Sequence, residues 1–366
     1  MNKEFNKLLN LMGNSAINLI ALNPGVDMFY ITGLNFHLME RPVLMLIKSN
    51  GEKCIVLPNL ERSRAEAVFP PENVISYPDD PEKWAKAFKK AGEKLGGFEG
   101  KIGVDPTRLR FLELSYLKIA YPDSDIIAAG EILANLRVQK DENELTAIRE
   151  AVKIAQNALT NTLKEPLTGK TEKEIANLLS LNLFKEGSGE LPFKPIVAFG
   201  KNSADPHASP SDQIIHENEI LLIDWGASFQ GYASDLTRVF RLGNLDNKLL
   251  EIAEVVRQAN QAGILACQPG VSAESIDSAC RSVIEGAGYG EFFIHRTGHG
   301  LGLECHETPF IFSSNPQILL PGMVFTIEPG IYIQGLGGVR IEDNVVITET
   351  GCEILTSLPK NLEEIR

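Results

Sequence analysis

Four acids occupy two similar settings in the second half of a 366-residue chain. Asp224 closes the apolar run Leu221-Leu222-Ile223, and Asp235 opens the strand-compatible Leu236-Thr237-Arg238, with Ala227-Ser228-Phe229-Gln230-Gly231 as the turn between them. Both acids are equidistant from the midpoint between Phe229 and Gln230, so an even-length hairpin loop sets them directly opposite on one face. Glu328 ends the run Thr326-Ile327, and Glu342 leads into Val345-Val346-Ile347; these two are symmetric about Gly335, so an odd-length loop opposes them as well. Like charges directly opposed at a Cβ separation of about 4.5 to 5.5 Å destabilise a sheet. A pair of this kind, made twice, demands a cation between its members.

His299 lies in Thr297-Gly298-His299-Gly300-Leu301-Gly302. Leu303 holds the place where a dinucleotide loop needs its last glycine, so the stretch is no GxGxxG motif. Glycine on both sides of the histidine instead lets the backbone approach a bound group closely. Four carboxylates and one imidazole form an oxygen-rich donor set suited to hard or borderline divalent ions. They exceed the needs of one small ion. Two metals about 3.5 to 4 Å apart would balance the charge and bring a water's pKa from 15.7 toward about 7, which implies hydrolysis.

Around these residues the chain repeats itself. Thr171 caps a helical run containing Ile175 and ending at Gly187; Ser272 caps one containing Ile276 and ending at Gly288, and Glu174 completes a capping box in the first copy. A glycine-histidine segment follows each helix, Gly200 to His207 and Gly298 to His306, and then an acid-bearing hairpin. Two such halves imply a pseudo-twofold domain in which helices cover a curved antiparallel sheet, with the site at its centre. Upstream, residues 1 to about 130 alternate strands (17–22, 43–47, 53–57, 102–104, 126–128) with helices (81–94, 107–119), the pattern of an α/β domain. It carries one histidine, His37, and no cluster of acids at ligand spacing, so it reads as a scaffold, dimer surface or lid. The polar stretch Leu133 to Asn143 marks the boundary, giving domains of 1–132 and 138–366.

A net charge of -13 and a pI near 5.1 argue against nucleic-acid and anionic-membrane partners. The 5 scattered cysteines, without CxxC spacing, fit a reducing compartment, and none is assigned chemistry. Met1-Asn2-Lys3-Glu4-Phe5 lacks the basic start of a signal peptide, and no apolar run reaches the roughly 20 residues of a membrane span. A cytoplasmic location is expected.

The ordered series Asp224, Asp235, His299, Glu328, Glu342, in the contexts IDWGA, SDLTR, GHGLG, TIEPGIY and GGVRIEDNVV, resembles the metallopeptidases of the aminopeptidase P and prolidase family. The resemblance implies an α+β chain, a creatinase-like α/β domain followed by a pita-bread catalytic domain, acting as a homodimer on Xaa-Pro bonds of short peptides. It implies two divalent ions, manganese first, with cobalt or zinc as alternatives. Asp224 would hold one ion, His299 and Glu328 the other, and Asp235 and Glu342 would bridge, with Glu328 also taking a proton from water. His207 and His306 match the family's substrate-facing histidines, and Arg340 matches an arginine beside the bridging acid. Trp225 and Ala233 depart from the common pattern without touching a ligand position. A creatinase-like amidinohydrolase or a non-catalytic binding module on the same fold is the alternative; intact ligands count against both. Prolidases often carry an arginine shortly after the His-Glu pair, whereas this chain has Thr308-Pro309-Phe310. Cleavage of tripeptides alongside dipeptides is the resulting expectation.

Overall fold

The computed structural model describes residues 3–365, and the chain divides into two compact units between Arg137 and Val138. In the first unit the chain runs α1 (Lys3–Gly13), β1 (Ile17–Leu22), α2 (Val26–Thr32), β2 (Leu44–Lys48), β3 (Lys53–Pro58), α3 (Arg62–Glu66), β4 (Val74–Tyr77), α4 (Trp84–Lys94), β5 (Lys101–Val104), α5 (Phe111–Ala120), β6 (Asp125–Ala128) and α6 (Gly130–Arg137). The strands form one mixed sheet in the order β4-β3-β2-β1-β5-β6. Along β1, Ile20 and Leu22 join one apolar core while Leu19 and Ala21 join the other. Burial on both faces is why this strand reads as an unbroken apolar run.

Five strands fall where the sequence places them, whereas β4 is only four residues of Val-Ile-Ser-Tyr and gives little pattern to detect. The helix expected from residue 107 starts at Phe111, because Asp105 accepts from the Thr107 amide (2.8 Å) and hydroxyl (2.7 Å) and closes a turn first. The polar stretch around residue 137 is largely helical: Arg137 ends α6, buried against Asp27 at 2.8 Å.

The second unit begins with α7 (Glu142–Thr162), whose N-cap Asp141 and Glu144 form a capping box, and α8 (Glu172–Lys185). It continues through β7 (Ile196–Phe199), β8 (Glu219–Trp225), β9 (Ser228–Phe229), β10 (Tyr232–Ala233), β11 (Leu236–Leu242), α9 (Asn247–Ala266) and α10 (Ala273–Gly286). Strands β12 (Gly298–Gly300), β13 (Glu307–Ile311), β14 (Val324–Ile327), β15 (Gly330–Ile333), β16 (Gly337–Arg340), β17 (Asp343–Ile347), β18 (Cys352–Ile354) and β19 (Glu363–Glu364) complete it.

The internal repeat is structural. Gly169 donates to Ile215 O and Gly270 to Leu319 O, both at 2.8 Å, and bridges Thr171–Ile214 and Ser272–Ile318 open α8 and α10 identically. The caps differ, because Thr171 accepts from the Glu174 amide at 3.2 Å while the Ser272 side chain makes no cap bond. The two larger sheets, β19-β11-β8-β7 and β13-β12-β14-β17-β18, are joined at a Thr237–Glu342 bridge, and β9-β10 and β15-β16 form two-stranded sheets. Strand β8 buries both faces: Leu221, Ile223 and Trp225 pack with α7 and α8, while Ile220 and Leu222 pack with α9 and α10. Asp224 shares the face of Ile220 and Leu222 by the two-residue period of a strand. Trp225 is fully buried and its indole donates to Ala155 O at 2.8 Å, so this departure from the common pattern fixes α7 to the sheet.

Candidate metal centre

The four acids and His299 meet at the seam between the two sheets. The second hairpin is the one the sequence describes: Ile327 pairs with Asp343 and Gly330 with Arg340, one register on both sides of Glu328 and Glu342. That register sets the two glutamates opposite each other where the ladder is interrupted. Their amides turn outward instead, Glu328 N to Thr297 O at 2.8 Å and Glu342 N to Thr237 O at 3.2 Å. The backbones of the two glutamates are thus tied to Thr297, just before β12, and to Thr237 on β11.

The first hairpin corrects the sequence reading. Gln230 and Gly231 both have positive φ, 51° and 87°, and form a two-residue turn that pairs Phe229 with Tyr232. The axis lies one position later than the symmetry of the acids suggests, and Asp224 faces Thr237 rather than Asp235. Glycine makes the left-handed turn accessible, whereas a Phe229-Gln230 turn would force an aromatic residue into that region. Asp235, two residues before Thr237, therefore reaches the site diagonally from Asp224. Its backbone is fixed by Asn344, whose Oδ1 accepts from the Asp235 amide at 3.2 Å and whose Nδ2 donates to the Asp235 carbonyl.

His299 accepts no help from its neighbouring glycines in binding a ligand. A Cβ on Gly298 would sit 1.9 Å from Thr326 O, and one on Gly300 would sit 2.3 Å from Thr308 O, so the glycines admit the adjacent strands rather than a bound group. The His299 Nδ1 lies 3.2 Å from Gly300 O, which leaves Nε2 facing the acids, 3.4 Å from Glu328 Oε1 and 3.7 Å from Asp235 Oδ2.

A cavity of about 310 Å³ takes in Asp224, Asp235, His299, Glu328, Glu342, His207, His306 and Arg340, every residue the sequence singles out. Three overlapping sets of donor atoms each fall within 4.8 Å: Asp224 with Asp235 and Glu342, His299 with Glu328 and Glu342, and Asp235 with His299 and His306. Asp235, His299 and Glu342 each belong to two of these sets, so the sets form one continuous cluster of donors. His306, given only a substrate role by the sequence, also comes within ligand reach, its ring 4.1 Å from that of His299.

Burial sets the electrostatics of the pocket. Burial, then the neighbouring acids, push Asp235 and Glu342 well above the ordinary carboxylate range. Burial raises Glu328 to about 7 even though Arg340 opposes it. Burial and His306 keep His299 neutral, the form that ligates a metal. Asp224 Oδ1 is buried with no hydrogen-bond partner. Clustered acids, an orphaned carboxylate oxygen and a neutral imidazole are the donor set divalent ions fit.

Several residues here carry no motif of their own. Thr237 donates to Glu342 Oε2 at 2.7 Å and accepts from Arg340 Nε at 3.0 Å. Tyr332 links Arg340 Nη1 (2.8 Å) to His295 Nε2 (2.9 Å). Burial and Arg340 lower His295 to about 4. Cys305 donates to Asp235 Oδ2 at 3.1 Å, a thiol at a site where the sequence assigned cysteine no part. Phe193, Lys194, Ile196, Pro206, His295 and Arg296 complete the lining. His295-Arg296 directly precede TGHGLG, which is the one clue the sequence offered.

Comparison with known proteins accords with this geometry. Residues 146–349 match the model of metallopeptidase family M24, and residues 5–139 match the creatinase/prolidase N-terminal domain. The chain is 34% identical to the Xaa-Pro dipeptidase of Lactobacillus delbrueckii subsp. lactis over 362 residues, 98% of each chain. Its structure resembles prolidase from Thermococcus sibiricus (TM-score 0.95, 32% identity, 100% of both chains) and X-Pro aminopeptidase from Thermotoga maritima (TM-score 0.85, 31% identity, 99% of both).

Proposed function

The chain belongs to metallopeptidase family M24, with a creatinase/prolidase N-terminal domain ahead of the catalytic one, and from that premise we propose that it hydrolyses the Xaa-Pro bond of short peptides and releases the N-terminal residue. The observation that carries this is the convergence of Asp224, Asp235, His299, Glu328 and Glu342 on one cavity that also holds two further histidines. Asp224 would hold one divalent ion and His299 and Glu328 a second, with Asp235 and Glu342 shared between them. Bound divalent ions supply Lewis acidity and an activated water. Manganese is our first choice, with cobalt or zinc as alternatives.

Glu328, with Oε1 3.4 Å from His299 Nε2 on the cavity wall, takes the proton of the attacking water. Proline's nitrogen is tertiary and offers no N–H to grip, so the enzyme must recognise the ring and protonate the departing nitrogen. His207 at the rim and His306 beside His299 carry that work, polarising the carbonyl and passing the proton. Buried Glu307 accepts from Lys140 Nζ at 2.6 Å and steadies the adjacent His306. Arg340 holds Asp224 and keeps the floor of the cavity charged. A cytoplasmic homodimer completes the reading. A creatinase-like activity has no use for five intact ligands. The test is hydrolysis of an Xaa-Pro dipeptide by metal-loaded protein; release of free proline supports the proposal, and inertness toward every Xaa-Pro substrate with the metal retained refutes it.

A further inference from the structure

The peptide units that lead into Glu328 and Glu342 are gripped at both ends, and at one end they share a partner. Their amides point outward, Glu328 N to Thr297 O at 2.8 Å and Glu342 N to Thr237 O at 3.2 Å. The carbonyls of the same two peptide bonds belong to Ile327 and Ile341, and both accept from Asn260 Nδ2 on α9, at 3.0 and 3.4 Å. Asn260 is fully buried on the helix face that carries Val256, Ala259 and Ile264. Two unpartnered N–H donors on such a face would be costly, so the pair of carbonyls accounts for an amide among apolar residues. Lys360 fixes which way the amide points: its Nζ lies 2.8 Å from Asn260 Oδ1, and an ammonium only donates, so Nδ2 faces the strands. Lys360 is itself anchored by Asp343 Oδ2 at 2.6 Å. So short a side chain reaches the sheet because Gly263 lies one turn further along α9. A Cβ there would sit 3.0 Å from Ile327 Cγ2 and 2.4 Å from Cys280 Sγ.

We infer that Asn260 is a positioning residue for the metal centre, one carboxamide that sets the spacing of Glu328 and Glu342 by holding the backbone just before each. The ladder is interrupted there, with Ile327 paired to Asp343 on one side and Gly330 to Arg340 on the other. Within the gap Ile341 N reaches Pro329 O only at 3.4 Å, so the strands do little to fix each other. Each peptide plane that Asn260 grips ends on the Cα of a glutamate, and a tilt of that plane is passed on to the carboxylate. Of the three donor sets in the cavity, the one formed by His299, Glu328 and Glu342 contains both glutamates and depends most on this grip. Asp224 and Asp235 are carried by β8 and by the segment ahead of β11, which Asn260 does not touch.

This inference rests on the two-ion reading of the centre, and the experiment separates the two. Chelator-stripped wild type, Asn260→Asp, Asn260→Leu and Asn260→Gln are titrated with manganese by calorimetry, well below their melting temperatures. Electron paramagnetic resonance of the loaded samples reports whether two ions are magnetically coupled. Asn260→Asp keeps the volume and the Lys360 contact but turns an acceptor toward the two carbonyls; Asn260→Leu removes every polar contact; Asn260→Gln restores both donors on a longer stem. Asn260→Asp and Asn260→Leu should weaken the second manganese equivalent about 10–100-fold, the range for partners that orient metal ligands, and lose the coupled signal. On an Xaa-Pro dipeptide both should lower kcat with KM little changed, and Asn260→Gln should regain most of the affinity and of the rate. A residue that merely supports the helix would lower Tm in these variants and leave affinity and coupling as they are in the folded protein. Wild-type affinity with intact coupling in folded Asn260→Asp therefore overturns the assignment, and this variant decides where Asn260→Leu does not fold. If wild type itself takes up a single ion, the two-ion reading falls, and the affinity ratio of wild type to Asn260→Asp for that ion still decides Asn260.

Discussion

Arg340 Nη2 lies 2.5 Å from Asp224 Oδ2, tying a cation on β16 to an acid on β8 across the floor of the cavity. Both groups are buried, so neither is neutralised by water. Burial works against the Arg340 charge, yet Tyr332, Asp224, Glu328 and Glu342 hold it firmly protonated. The guanidinium thus offsets part of the negative charge that any metal must also balance.

Arg340→Ala should therefore cost the metal-free protein about 3–5 kcal/mol, the usual penalty for orphaning one member of a buried pair. Metal loading should recover part of that loss, because the ions take over the neutralisation of Asp224. Differential scanning calorimetry on stripped and loaded samples checks it; an equal loss in both states would show that Arg340 acts through packing alone.

Glu342→Ala and Asp235→Ala should each lower kcat by more than about 100-fold, beyond the 10–100-fold typical of outer-shell partners, and reduce metal content. His207→Ala should lower kcat while both ions stay bound, since His207 lies at the exposed rim. Steady-state kinetics paired with elemental analysis reads both effects. Loss of metal in His207→Ala would reassign that histidine.

Much of this site was legible because its chemistry is concentrated in unusual residues. Glu328 and Glu342 straddle Gly335 in the register the fold adopts, since a glycine turn and two flanking ladders all fix one axis. Asp224 and Asp235 were found with the wrong register, because several turn positions fit their spacing and only backbone conformation at Gln230-Gly231 chooses. Thr237, Asn344 and Tyr332 escaped because nothing in their types marks them; proximity alone makes them matter.

Asp343, the residue after Glu342, supplies a pH test through its own partners Arg238 and Lys360. Burial alone would raise it, but Arg238 Nη2 at 2.7 Å from Oδ1 and Lys360 Nζ at 2.6 Å from Oδ2 hold it below its ordinary 3.8. A depressed carboxylate contributes stability that is present above its unfolded pKa and lost as pH falls through the lower folded value. Asp343→Asn should lower Tm at neutral pH by roughly 2–4 °C for each kcal/mol lost, and the gap from wild type should close below about pH 4. A gap of constant size across the acid range would show that the charge on Asp343 contributes nothing.

The clustered ligands predict the opposite dependence for metal-free protein. Glu328 is raised to about 7, and Asp235 and Glu342 lie well above their ordinary values, burial being the largest cause in each. A carboxylate with a raised folded pKa contributes stability that is complete below its unfolded pKa, near 4 for these groups, and is lost as pH rises through the folded value. Stripped protein should accordingly lose stability between about pH 5 and pH 8 as acids packed around one cavity are forced to ionise. Metal binding needs those acids deprotonated, so reconstitution should stabilise more at the upper end of the range; at 100 times Kd the gain is about 2.7 kcal/mol. Glu342→Gln should separate the causes. It removes one of the strongly raised carboxylates, so stripped Glu342→Gln should melt above stripped wild type at about pH 8 and fail to gain the full increment from manganese. Thermal melts of stripped and reconstituted protein at several pH values provide the measurement. A manganese-induced rise in Tm that is the same at every pH, or a stripped Glu342→Gln that melts below wild type throughout, would remove the acid cluster as the source of the effect.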